Sequence, residues 1–225
     1  MSRPRRHRGR PGWSVLAATA LLAACAGTPV PDWQAAARDA LDAGTAAYLR
    51  GDSRAAQAEF ERARRELSRT GRADLLARAA LMRCAAQVAS AVIDPCTAFE
   101  ALRAEAPADE RAYADYLAGR VQPVDAAQLP PQHRAVAVAQ GDSATAALRA
   151  IDDPLAQLVA VGVLFQRGEA SPAALALAVD TASAQGWRRP LLAWLGVQLE
   201  RAQRAGATAE AERLRQRIAL VQGPP

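Results

Sequence analysis

The chain has 225 residues, enough for one domain or two small ones, and half of it is apolar while only 4% is aromatic. That apolar half is mostly alanine and leucine, so strand formers are scarce and the expectation is an all-α protein. All 28 basic residues are arginine, five of them in the first ten positions, which leaves 23 arginines against 23 acidic residues; a body without net positive charge has no global pull on phosphate, and nucleic acid is set aside as a partner.

In chain order, the first twelve residues are basic and include Arg3, Arg5, Arg6, Arg8 and Arg10. Trp13 to Ala24 is an uncharged apolar run. A helix needs about 20 apolar residues to cross a bilayer, so this run is too short to span and reads as the apolar region of a secretory signal. Leu22-Ala23-Ala24-Cys25 then places an aliphatic residue and two small residues before a cysteine. This stretch resembles the lipobox of bacterial lipoproteins. The resemblance implies that residues 1–24 are a signal peptide, that Cys25 carries lipid (thioether-linked, with palmitate-type acyl chains), and that residues 25–32 are a tether. Each buried methylene of such chains is worth about 0.8 kcal/mol, so several chains hold firmly where one holds weakly. Ala26 follows the cysteine where aspartate would signal inner-membrane retention. The resemblance therefore points to the outer membrane, on its periplasmic face.

The body begins with Asp32 as the cap of a helix running to Arg50, with Trp33, Ala37, Ala40, Leu41, Gly44 and Tyr48 on one face. Gly51 suits the left-handed position past a helix end, and Asp52 or Ser53 caps the next helix. There Ala56, Phe60, Ala63 and Leu67 share a face, while Arg54, Gln57, Glu61, Arg62 and Arg65 share the other. Glu61 and Arg65 stand at a favourable spacing for an ion pair. The small, turn and large positions Gly44, Gly51, Asp52, Ala56, Phe60 and Ala63 resemble a tetratricopeptide repeat over residues 37–70. Ala40 and Ser68 stand where that pattern has tryptophan and proline. The same stretch contains Arg50-Gly51-Asp52-Ser53, an adhesion tetrapeptide as a string. Gly-Asp-Ser recurs at 141–143 without the arginine, so the reading here is a turn.

A third helix is expected from Ala73 to Ser90, a fourth from Asp94-Pro95, and a fifth from Asp109 to Ala118 closed by Gly119. Val121 to Pro131 holds three prolines and is the candidate break, read as a long loop. Asp153-Pro154, Ser171-Pro172 and Arg189-Pro190 look like later helix starts, and Gly168, Gly186 and Gly206 like ends. Ala211, Leu214, Ile218 and Val221 share a face of the last helix. About ten helices in five hairpins make one domain over residues 33–222. The expected fold is all-α, a stack of antiparallel helical hairpins like a tetratricopeptide α-solenoid, with an irregular helical bundle as the alternative.

Once Cys25 is assigned to lipid, Cys84 and Cys96 are the remaining cysteines. An even pair in an exported chain suggests a disulfide across the turn between helices three and four, against two buried thiols as the plainer reading. His133 is expected to be solvated or to cap a helix, since nothing nearby completes a triad. No clustered ligand spacing suggests a metal, and no cofactor loop is present. Trp187, Arg188, Arg189 and nearby Trp194 are the candidate partner-binding group, because tryptophan and arginine concentrate at binding hot spots. The competing reading is that the two tryptophans plug an Ala/Leu core. Tyr113 and Tyr116 are read as packing. These observations suggest a non-enzymatic, membrane-anchored scaffold for another envelope protein or peptide. A cell-wall enzyme or regulator and a carrier of a small apolar ligand are the competing expectations.

Overall fold

The computed structural model describes residues 31–223. The signal run, the lipobox with Cys25 and most of the tether lie outside the described residues.

Helix α1 (Asp32–Arg50) and helix α2 (Ser53–Ser68) form the first pair. Gly51 turns between them at φ +95°, where a side chain would be strained. Asp52 is the cap: its carboxylate accepts the backbone N–H of Ala55 at 3.0 Å. Ala56, Phe60, Ala63 and Leu67 are all buried, as their spacing predicts. The glycine that the repeat pattern singled out has a physical role, because a Cβ on Gly44 would stand 3.0 Å from the Phe60 ring. On the outer face Glu61 pairs with Arg64 at 2.9 Å rather than with Arg65.

Helix α3 (Ala73–Ala89) ends within a residue of its expected boundary. The fourth element does not start at Asp94-Pro95. It is a single turn, α4 (Thr97–Glu100), with Cys96 at its cap. Pro107 holds Ala106 extended and stops the chain from continuing helically after a 3-10 turn at Arg103–Glu105. Helix α5 (Ala108–Leu117) follows and ends at Gly119, φ +69°. The proline-rich stretch is a structured part of the fold. Pro123 opens a 3-10 turn (Pro123–Gln128), Leu129 is buried, and Pro131 is the first residue of helix α6 (Pro131–Val138).

Helix α7 (Gly141–Arg149) starts on the glycine of the second Gly-Asp-Ser. There Gln140 is the cap residue, and its backbone N–H bonds Ser143 Oγ at 3.2 Å. The two Gly-Asp-Ser stretches therefore do different work, one as a turn and the other as a first helical turn. Helices α8 (Pro154–Gln166) and α9 (Pro172–Ala184) begin at the expected Asp-Pro and Ser-Pro pairs, with Asp153 and Ser171 accepting the N–H of Ala156 and Ala174. Helices α10 (Arg188–Arg204) and α11 (Thr208–Gln222) complete the body. The protein is all-α, with no strand among the described residues. No helix among them is long and apolar enough to cross a membrane.

Consecutive helices α8 to α11 pack in order, and α2 packs on α3, as hairpins should. Across the chain, α3 also packs on α8, so the stack closes into a bundle. Every residue of α8 from Ala156 to Leu164 is buried, the signature of a helix surrounded by others. One continuous core runs from Ala77 to Leu214, and a small separate cluster joins Ala47, Ala56 and Phe60 of the first pair.

Candidate functional site

The partner-binding group expected at the α9–α10 turn is largely consumed by the fold. Trp194 is fully buried, its indole N–H donates to the Ala89 carbonyl at 2.9 Å, and its ring meets Phe165 edge-on. It cannot meet a partner; the core-plug reading is the correct one for this residue. Arg188 donates to the carbonyls of Val221 and Gln222, at 3.2 and 3.0 Å, and so satisfies the open end of α11. Arg189 donates to the Tyr48 carbonyl and to Ser53 Oγ, both at 2.7 Å. The serine of the adhesion-like tetrapeptide is thus held by the protein itself. Trp187 alone keeps a half-buried position open to a cavity.

That cavity has a volume of about 470 Å³. Ala46 and Leu49 of α1, Met82 and Ala85 of α3, and Leu155 and Val159 of α8 supply apolar wall. Asp42, Thr45, Tyr113, His133, Asp153 and Trp187 add polar and aromatic groups from five separate parts of the chain. The Thr45 hydroxyl is buried and has no hydrogen-bond partner among the described residues. A buried polar atom without a partner is uncommon and calls for a ligand, water or strain to explain it.

His133 is not solvated. It is 2% exposed, because Pro131 sets α6 so that the third residue of the helix faces inward. Its Nδ1 lies 3.3 Å from the Tyr116 hydroxyl, and its ring centre lies 4.9 and 5.7 Å from those of Tyr116 and Tyr113. Burial lowers its pKa to about 4, only partly opposed by the negative charge of Asp153, so the imidazole is neutral at pH 7. Burial also pushes both tyrosine phenols well above their usual range. Tyr116 is a packing residue, as expected; Tyr113 packs and also lines the cavity.

A second cavity of about 410 Å³ shares Met82 and Tyr113 with the first as a common wall. Leu81, Leu129, Pro130 and Pro131 make its apolar lining. Glu110 lines it as well, with its side chain only 8% exposed. Arg78 Nε donates to Glu110 Oε1 at 2.7 Å, while Oε2 is buried without a partner among the described residues.

Cys84 and Cys96 lie at disulfide distance, with Cα atoms 5.8 Å apart. No group of histidine, cysteine and carboxylate side chains among the described residues could hold a metal. The carboxylates with clearly shifted acidity are Asp74 and Glu100, both lowered by hydrogen bonds from Arg72 and Arg103 on the surface. Sequence reasoning missed both cavities. Their linings come from α1, α3, α5, α6, α8 and the α9–α10 turn, and no local spacing joins residues so far apart. No protein-family model, curated protein or solved structure matches the chain.

Proposed function

We propose that this protein is a lipoprotein, anchored through Cys25 on the periplasmic face of the outer membrane, that binds another envelope protein or peptide without catalysis. The anchor rests on the order of basic run, apolar run, Leu22-Ala23-Ala24-Cys25 and tether. The binding role rests on one observation: a cavity of about 470 Å³, apolar over most of its wall, with Trp187 half-buried at it. Such a cavity suits an anchoring side chain of a partner, set in a pocket that excludes water.

The full-length protein, isolated from detergent-solubilised envelopes, tests this reading. A specific partner should co-purify with the wild type and be lost when Ala46→Trp fills the cavity. Recovery of the same proteins with both forms would refute the site, and recovery of none would refute the scaffold. Cys25→Ser should abolish incorporation of labelled palmitate and release the protein from membranes.

The cavity volume also favours a second reading, a carrier of a small apolar ligand, since pockets for such ligands measure roughly 300–1,000 Å³. Native mass spectrometry distinguishes the two. A carrier retains a small molecule that Ala46→Trp displaces, whereas a scaffold retains none.

A further inference from the structure

A further hollow, of about 320 Å³, lies where the two parts of the hydrophobic interior meet. Leu41 and Phe60 reach it from the small α1–α2 cluster, while Ala80 of α3 and Leu102 beyond α4 are packed on the continuous core. Leu76 and Ala98 complete a wall that is mostly hydrocarbon. The space stays open because Ala80 and Ala98 carry only a methyl group each. As a result Leu41, Leu76 and Leu102 are half-buried rather than buried. Each forgoes part of the stabilisation that full burial would bring, so the fold gains nothing from the opening.

Three charged side chains line the hollow: Glu61, Arg64 and Arg83. Glu61 and Arg64 pair with each other at 2.9 Å, and their charges cancel. Arg83 is left over. Its side chain is exposed, and its guanidinium stands 5.8 Å from the centre of the Phe60 ring, which is itself part of the wall. The cation therefore stands at the hollow, open to solvent, with no carboxylate partner among the described residues. Asp94 shares the wall of a smaller neighbouring hollow with Arg83 without forming an ion pair with it. The chemistry of the site is thus an apolar recess with one accessible, uncommitted positive fork at its edge.

We infer that this hollow binds a free medium-chain carboxylate, a fatty acid, with its head group on Arg83 and its chain against Leu41, Phe60, Leu76 and Leu102. A guanidinium offers parallel N–H donors that match both oxygens of a carboxylate. The remainder of the wall decides between a free chain and a peptide. Peptide amides would lose water against hydrocarbon without gaining partners, whereas an alkyl chain gains by leaving water. The volume is at the lower end of the roughly 300–1,000 Å³ of small-molecule sites, which suits a chain of medium length. The inference goes beyond the scaffold proposal and concerns a different cavity.

The test uses the purified protein, with amide NMR shifts of α3 and α4 read during titration. Octanoate should give saturable shifts, with an affinity about fivefold or more above octanol, the upper end for an exposed ion pair. Octylamine should bind no better than octanol. Hexanoate should bind about tenfold more weakly than octanoate, because two methylenes fewer leave water. Arg83→Gln should bring octanoate down to the level of octanol while octanol itself binds as before, which shows the hollow intact. Ala98→Trp, at an exposed position, fills the space with Arg83 in place and should abolish binding of both. Ala46→Trp should leave octanoate binding unchanged, so this inference and the scaffold proposal stand or fall separately. Equal affinities for octanoate and octanol, no saturable shift from octanoate, or an octanoate affinity unaltered in Arg83→Gln would overturn the inference. So would tighter binding of N-acetyl-Ala-Leu with its free carboxylate, which would give the site to a peptide end instead.

Discussion

Arg189 and Tyr48 stand 141 positions apart in the sequence, yet the guanidinium lies 4.3 Å from the centre of the tyrosine ring while its Nε donates to the tyrosine's own carbonyl. One side chain thus stacks on a residue and satisfies its backbone, and a third contact reaches Ser53 across the turn. This clasp ties the end of the first helix to the start of the tenth. Arg189→Ala should cost about 1–2 kcal/mol, the sum expected of a hydrogen bond and a cation–π contact. Urea denaturation measures it. Arg189→Lys should recover less than half, because an ammonium cannot stack and fork together.

Among the described glycines, Gly162 has the closest neighbour. A Cβ there would overlap the Val88 carbonyl and stand 2.8 Å from Val88 Cγ1, with helix backbone on both sides. Gly162→Ala should lower stability by about 2–3 kcal/mol through overpacking, despite alanine's better helix propensity. Gly44→Ala makes the useful contrast. Its Cβ would meet the Phe60 side chain alone and no backbone, so the cost should be smaller, about 1 kcal/mol. Thermal melts of the two variants side by side check the difference.

His133 predicts a pH dependence. Its folded pKa is about 4, while an unfolded histidine titrates near 6.5. Between those values the unfolded chain takes up a proton that the folded chain refuses. Its stabilising neutrality is therefore fully present above about pH 6.5, is lost as the pH falls towards 4, and changes no further below that. The loss over this window should be about 3 kcal/mol. Denaturation at a series of pH values reads it directly, and His133→Phe should flatten that part of the curve.

If Cys84 and Cys96 are joined, the bond closes a short loop around the end of α3 and should stabilise by about 3 kcal/mol. The protein isolated without reductant should carry no free thiol at these positions, and dithiothreitol should lower its melting temperature. A melting temperature indifferent to reductant would show two buried thiols instead.

Local chemistry made much of the fold legible. Asp52, Asp153 and Ser171 announce helix starts because a cap needs only its own side chain and the next turn. What the sequence concealed is what depends on remote partners. Asp94-Pro95 has the form of a helix start, but the chain there runs on without regular structure to Cys96, which sits beside Cys84. Trp194 looks like a hot-spot residue until Ala89, 105 positions away, is seen to take its N–H. His133 follows two prolines and precedes an arginine, an exposed-looking setting, yet Tyr113 and Tyr116 from the preceding helix cover it. The cavities were concealed for the same reason, since a void is a property of several elements together and leaves no mark on any one of them.

The division of the hydrophobic interior has a mechanical consequence. The cavity of about 470 Å³ is lined by α3 and α8, which meet closely at the Gly162–Val88 crossing within the continuous core. It is also lined by α1, whose small cluster with α2 lies apart from that core and whose end is pinned by Arg189. The wall of this cavity therefore combines two helices that belong to the continuous core with one that is tied to the body at its end by Arg189. Hydrogen exchange should record the difference as faster exchange in α1 than in α3 and α8, and loss of Arg189 should speed exchange in α1 while leaving α3 and α8 unchanged.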